Sequence, residues 1–282
     1  MSTVPALTLN TGREIPQLGF GTFQVEPDEC VEVVSKALDV GYRHVDTAQM
    51  YGNEAEVGEA VRRSGLARDD LFLTSKLNNN NHRRDDVLRS FDATLEALGV
   101  DELDLFLIHW PLPTVEGVDY VETWQAVAEL HRDGRLRSAG VSNFQPDHLE
   151  RLAAETDLVP AVDQVEAHPF FRNEEVRAYC AEHGIVVEAW SPLAQGDVVD
   201  DPTVQQVADR VGRTAGQVAL RWHLQRGDVV FPKSSTPSRI EENFDVFDFE
   251  LDDDAVAALD GLDRGEEGRV GPHPDAFDMV PD

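Results

Sequence analysis

Lysine is nearly missing from this sequence of 282 residues. Only Lys36, Lys76 and Lys233 occur, and the rest of the 24 basic residues are arginine. Cysteine is equally scarce: Cys30 and Cys180 stand far apart with no CxxC spacing. That excludes a disulfide scaffold and a cysteine-ligated zinc site, and it suits two thiols in a reducing cytoplasm. No apolar run approaches the roughly 20 residues needed to cross a bilayer. The opening Met1-Ser2-Thr3-Val4-Pro5 has neither a basic nor an apolar segment, so no secretory signal is expected. Positive charge is short overall, with 54 acidic residues and a net charge of -30. A field of that sign repels nucleic acid and anionic membranes, so neither is an expected partner.

The acidic residues are spread along the whole chain, which argues against a disordered acidic tail. A dispersed acidic surface with few lysines suits a protein kept soluble at very high salt, where screening suppresses self-repulsion. A halophilic source is therefore expected. In such a chain each remaining lysine is a candidate for a role that arginine cannot fill.

What is present is a regular alternation of short apolar runs and longer amphipathic stretches. Strands are expected at Leu18–Thr22, up to Asp46, and at Leu71–Lys76, Leu103–His109, Arg137–Val141, Ala161–Glu166, Ile185–Trp190 and Val229–Phe231. Helices are expected at Asp28–Val40, Glu54–Ser64, Arg84–Leu98, Tyr120–Arg132, Asp147–Ala154, Glu174–His183, Thr203–Val211, Ala215–Gln225, Pro237–Phe244 and Asp252–Leu259. Interleaving of this kind implies a parallel sheet, because each return crosses over through a helix. Eight strand–helix units in one chain favour closure into a single (β/α)8 TIM barrel, which takes about 250 residues. Thr11-Gly12, between Leu7 and Ile15, reads as a small hairpin capping the barrel floor, and a helix and tail follow the last unit. No linker or repeat divides the chain, so residues 1–282 are expected to form one domain.

In such barrels the chemistry sits at the C-terminal strand ends. Here those ends carry Asp46, Lys76, His109, Ser142-Asn143, Gln164, Trp190 and Lys233, with Tyr51 five residues beyond Asp46. A free tyrosine has a pKa of about 10, too high for good proton donation near neutrality. A neighbouring ammonium lowers it, an aspartate keeps that ammonium charged, and a histidine can orient a carbonyl oxygen. Taken singly, each residue is more often a cap, a core side chain or a turn. Their joint placement at one mouth is what carries the chemical reading.

The segments His44-Val45-Asp46-Thr47-Ala48, Tyr51-Gly52-Asn53-Glu54, Thr74-Ser75-Lys76-Leu77 and Ile108-His109-Trp110-Pro111 resemble the aldo-keto reductase family. So do Gly140-Val141-Ser142-Asn143-Phe144, Gln164-Val165-Glu166-Ala167-His168-Pro169 and Phe231-Pro232-Lys233-Ser234. The short loops and tail are similar to those of 2,5-diketo-D-gluconate reductase-like members. The resemblance implies Tyr51 as general acid, tuned by Lys76, with Asp46 paired to Lys76 and His109 orienting the carbonyl. It implies Ser142, Asn143 and Gln164 on the nicotinamide carboxamide and Trp190 stacked on the ring. Lys233, Ser234 and Arg239 fall on the adenosine 2′-phosphate positions, with Glu242 and Asn243 near the adenine; Thr22, Ser191 and Leu193 complete the cofactor set. NADPH is the implied cofactor, with NADH as the alternative. A GxGxxG fingerprint is missing, since Gln24 follows Gly19-Phe20-Gly21 where a glycine is required.

Phe23, Tyr51, His109 and Trp110 are expected to line a substrate pocket. Asn78 stands where the family commonly has tryptophan, which implies a wider or more polar pocket. The tail from Gly268, with Pro272, His273 and Pro274, is expected to make a defined turn over it. No metal is expected. The expected activity is NADPH-dependent reduction of aldehydes, ketones or keto-sugars by a cytoplasmic monomer. A nucleotide-sensing barrel with little turnover is the alternative, and would bind cofactor without multiple turnover. A carboxylate hydrolase would bind no nicotinamide and leaves Lys233 unexplained.

Overall fold

The computed structural model describes residues 4–281. Met1–Thr3, the start of the segment read for a signal, and Asp282 lie outside the described residues. Strands β1 (Ala6–Thr8) and β2 (Glu14–Pro16) form an antiparallel hairpin with Leu7 opposite Ile15. Eight parallel strands follow in sequential order: β3 (Phe20–Gly21), β4 (His44–Asp46), β5 (Phe72–Leu77), β6 (Leu103–Ile108), β7 (Leu136–Ser142), β8 (Val162–Glu166), β9 (Val186–Trp190) and β10 (Val229–Val230). A parallel bridge between Leu18 and Val230 brings the last strand beside the first. There Gly19 N donates to Val230 O at 2.7 Å and Val230 N to Gln17 O at 3.0 Å, so the sheet closes into the expected barrel.

Helices α1 (Pro27–Val40), α2 (Glu54–Ser64), α3 (Arg84–Leu98), α4 (Tyr120–Arg132), α5 (Pro146–Glu155), α6 (Glu174–His183), α7 (Pro202–Val211), α8 (Ala215–Gln225) and α9 (Pro237–Phe244) surround it, and α10 (Asp253–Asp260) follows. Their starts are written in the sequence. The Asp201 carboxylate accepts from Thr203 N and Val204 N ahead of α7, and Thr214 and Gln217 form a capping box on α8. Gly58 lets α2 approach α3, since a Cβ there would lie 2.5 Å from the Leu98 carbonyl oxygen. Every residue of β5 and β6 is buried, as parallel strands covered on both faces require.

The hairpin closes the barrel floor. Leu9 and Ile15 are buried in one cluster with Phe72, Leu105, Leu107, Val162 and Val229, which come from four barrel strands. The Asn10 amide donates to Pro160 O at 2.9 Å, and Thr11 Oγ1 and Ser138 Oγ are hydrogen-bonded at 2.9 Å.

Three local expectations are corrected. The seam strands are shorter than Leu18–Thr22 and Val229–Phe231, because the closing ladder narrows to one bridge and Thr22 N turns to Asp46 O. Asp252 precedes α10 as its cap, accepting from Ala255 N at 2.8 Å. Between β9 and α7, where no element is expected, Ala194–Asp200 forms 3-10 turns interrupted at Gln195 and Gly196.

Backbone strain is concentrated on one face. Among the described residues, the non-glycine positions with positive φ are Gln24, Leu112, Asn143, Asn173, Ser191, Ala194 and Gln195. All lie in loops that leave the C-terminal ends of strands, the face where strain is expected to serve function. No helix among the described residues is long and apolar enough to cross a membrane.

Candidate active site

Asp46 ends β4, Tyr51 sits in the 3-10 turn Gln49–Tyr51 just beyond it, Lys76 lies in β5, and His109 follows β6. Lys76 Nζ donates to Asp46 Oδ1 at 2.6 Å and to the Thr47 carbonyl at 2.9 Å, and lies 3.3 Å from Tyr51 Oη. The Lys76 side chain is fully buried. Burial works against its charge, but Asp46 and Tyr51 outweigh burial and hold the ammonium above the ordinary lysine range. Burial raises the Asp46 carboxyl, opposed by Lys76 and by Gln164.

Burial likewise raises the Tyr51 phenol, and Lys76 offsets only part of that rise. The net lowering expected from the ammonium is therefore not reached in the isolated site. Tyr51 stays a protonated phenol at neutral pH, with the Lys76 ammonium beside its oxygen. Burial, then Lys76, hold His109 well below the ordinary histidine range, so its ring is neutral. The Tyr51 and His109 rings meet edge-on with centroids 5.9 Å apart.

Ser142, Asn143, Gln164 and Trp190 form the next arc. Ser142 Oγ donates to the Gln164 carbonyl at 2.8 Å, and Asn143 Nδ2 to the His109 carbonyl at 2.9 Å. Trp190 Nε1 donates to Asn143 Oδ1 at 2.8 Å. Ser191 continues this arc in a left-handed conformation, φ 49°. Beyond it a cleft of about 340 Å3 is lined by Leu193, Lys233, Ser234, Arg239, Glu242 and Asn243. Among the described residues neither Lys233 nor Arg239 is ion-paired, although most of this chain's cations are. In a protein of charge -30, two free cations on one cleft suit an anionic group such as a phosphate.

Thr22 is sealed beneath the mouth, its hydroxyl donating to the Asp46 carbonyl at 3.0 Å. Phe23 is 56% exposed at the rim, with its ring 5.1 Å from that of Tyr51. Asn78 is half-buried, but its Oδ1 accepts from Asn79 N at 2.8 Å, which turns its polarity back into its own loop. Trp110 is buried, because Phe277 from the tail packs on it.

Several participants escaped the sequence. Asn53 ties the loops together, donating to the carbonyls of Thr22 and Val25 at 3.0 Å each and accepting from Thr47 Oγ1 at 2.9 Å. Glu188, buried in β9, accepts from Gln164 Nε2 at 2.8 Å. Glu166 accepts from Val270 N at 2.5 Å, Gly271 N at 2.9 Å and His168 Nε2 at 3.0 Å, which anchors the tail. The tail makes its expected turn, with Ala276 N and Phe277 N both donating to His273 O. The available signal for Glu188 and Glu166 was a carboxylate within a short strand buried among parallel neighbours.

A profile of the aldo/keto reductase family matches residues 17–264. An aldo-keto reductase of Mycolicibacterium smegmatis is 48% identical over 276 residues, covering 98% of this chain and 99% of that protein. Methylglyoxal reductase DkgA of Escherichia coli K12 is 44% identical over 279 residues, covering 98% and 99%. A crystal structure of a Gox0644 mutant in complex with NADPH superposes with a TM-score of 0.93 at 41% identity, covering 98% of this chain and 99% of that one. With fold, sequence and strand-end chemistry agreeing along its whole length, this chain belongs to the aldo/keto reductase family.

Proposed function

We propose that this chain reduces small aldehydes and ketones, keto-sugars among them, to alcohols with NADPH. The observation that carries this reading is the line Tyr51 Oη, Lys76 Nζ, Asp46 Oδ1, with steps of 3.3 and 2.6 Å, beside a neutral His109. The relative DkgA is named a methylglyoxal reductase, and the Gox0644 complex holds NADPH. Bound NADPH supplies a hydride to the carbonyl carbon. The His109 ring orients the carbonyl oxygen and Tyr51 Oη protonates it. Lys76 stabilises the phenolate left behind, and Asp46 keeps the ammonium charged and aimed. Lys233 and Arg239 hold the 2′-phosphate, with Ser234, Glu242 and Asn243 completing that end. Asn143, Gln164 and Trp190 hold the nicotinamide. Phe23 and Trp110 flank the carbonyl substrate.

The same reading makes residues 1–282 one catalytic domain that works as a cytoplasmic monomer in a salt-adapted cell. Two free thiols support the reducing compartment, and the dispersed acidic charge supports the salt adaptation. Full stability without salt, in melts across a salt series, would remove the salt-adaptation part.

The test is oxidation of NADPH, followed by its near-ultraviolet absorbance, with a panel of carbonyls in molar salt for the wild type and Tyr51→Phe. Turnover lost in the variant, with NADPH binding retained, is the expected result. Folded wild type that fails to bind NADPH would defeat the proposal.

A further inference from the structure

The amide of Gln164 is held at two points. Its Nε2 donates to Asp46 Oδ2 at 2.9 Å and to Glu188 Oε2 at 2.8 Å. A flipped amide would set its carbonyl oxygen against the Asp46 carboxylate, so the nitrogen must face inward. None of the described residues donates to Gln164 Oε1. That oxygen is also missing from the set of sealed, unpartnered polar atoms, so it is open to a ligand. One acceptor would leave the amide free to turn about a single hydrogen bond. Two acceptors define its plane, and with it the direction of Oε1.

Glu188 has no other evident task. It is fully buried, and its Oε1 has no partner. The nearest cationic candidate on its far side is His44, 3.8 Å away. Burial pushes His44 down to about 3, so the contact is not an ion pair. Burial and the Asp46 charge push Glu188 up to about 8, so at neutral pH it is an uncharged acceptor. A buried carboxyl with one unsatisfied oxygen costs stability, and an apolar residue of similar size would cost less. Its strand register explains what it does instead. Glu188 is the cross-strand partner of Gln164, and it lies two residues before Trp190 on the same side of β9.

We propose that Glu188 is a positioning residue that locks the Gln164 amide with Oε1 toward the mouth, so that the site selects a carboxamide N–H on the bound ring. This rests on the reductase reading above. The ligand chemistry is specific: a primary carboxamide is preferred over a methyl ketone at the same ring position, because the ketone brings no donor.

The experiment titrates protein fluorescence with NADPH and with its reduced 3-acetylpyridine analogue, which carries a methyl ketone in place of the carboxamide. Adenosine 2′,5′-bisphosphate, which reaches only the phosphate end, is titrated in parallel. Wild type should prefer NADPH by about tenfold, the worth of about 1.4 kcal/mol. Glu188→Leu, which fills the space and leaves no cavity, should weaken NADPH by about tenfold and leave the analogue and the bisphosphate unchanged. Glu188→Gln offers the same carbonyl acceptor without an ionisable proton and should retain the preference. A merely structural role would weaken both dinucleotides equally or leave both unchanged in Glu188→Leu, and either result overturns the proposal. Wild type that binds both dinucleotides without preference also overturns it and leaves the reductase reading standing. Wild type that binds neither defeats that reading, and this inference with it.

Discussion

The ring of Phe277 lies 4.1 Å from the ring of Trp110, centroid to centroid, at an interplanar angle of 33°. The tail is thereby joined to a residue that directly follows His109. Asn79 Nδ2 donates to Met279 O at 2.9 Å further along, so the tail is held on both sides of this contact. An aromatic pair contributes about 0.5–1.5 kcal/mol beyond its buried area. Phe277→Ala should therefore raise KM for small carbonyls by about three- to tenfold, with NADPH affinity and the urea midpoint little changed. Steady-state kinetics decide this, and an unaltered KM would detach the tail from the substrate.

Gly271 is where the tail crosses Trp190. A Cβ there would collide with the indole ring and press on Glu166 Oε2. Gly271→Ala must displace either the tail or Trp190, neither of which is a loose side-chain end. The tryptophan emission should shift and dinucleotide affinity should fall. Unchanged emission together with unchanged affinity would contradict the contact.

Lys76→Met leaves the Asp46 carboxyl buried without its cation. Breaking one half of a buried pair costs about 3–5 kcal/mol, whereas replacing both halves is often nearly neutral. The single variant should lose about that much in urea unfolding, and Lys76→Met with Asp46→Asn should regain most of it. Both should lack turnover. A double variant no more stable than the single would show that the pair is not coupled.

Lys233 and Arg239 offer the two free cations of the cleft. A charge-assisted hydrogen bond contributes about 1.5–3 kcal/mol. Lys233→Met or Arg239→Leu should weaken NADPH by about ten- to a hundredfold and leave NADH nearly unchanged. Equal losses for the two dinucleotides would remove the phosphate assignment.

His82 gives a pH signature free of the catalytic groups. Its Nδ1 is hydrogen-bonded to Thr123 Oγ1 at 3.1 Å, and burial pushes it down to about 4. The folded value is below the ordinary 6.5, so on acidification the unfolded chain takes the proton first. The stability held by neutral His82 is fully present above about pH 6.5. It is lost on the way down to about pH 4, at about 1.4 kcal/mol per unit. His82→Asn keeps a donor toward Thr123 and has nothing to titrate. The stability difference between wild type and variant should slope through that window and be flat above it. A flat difference throughout would place a charged or solvated His82 in the fold.

The barrel was legible because its signals are local. Apolar runs such as Leu103–Ile108 alternate with capped amphipathic stretches such as Ala215–Gln225 behind Thr214, and each can be read within one window of sequence. Asp46, Lys76 and His109 were legible because strand ends are. Glu188 and Glu166 were not, because a polar residue at an inward strand position reveals its period but not its partner. Gln164 and Asp46 are 118 positions apart and meet only because β8 and β4 lie across the closed barrel from each other. The short seam strands were overestimated for a related reason: how much of Leu18–Thr22 joins the ladder depends on closure.

The hairpin that carries Leu9 and Ile15 into the barrel floor has a kinetic consequence. The barrel interior is filled by side chains and the hairpin covers its lower end, so only the rim is open to ligands. Everything that enters must leave through the same rim, where Phe23, Trp110 and the tail already crowd the opening. Two ligands sharing one doorway cannot come and go independently. On the proposed reductase reading, a ligand at the rim blocks the exchange of one seated beneath it.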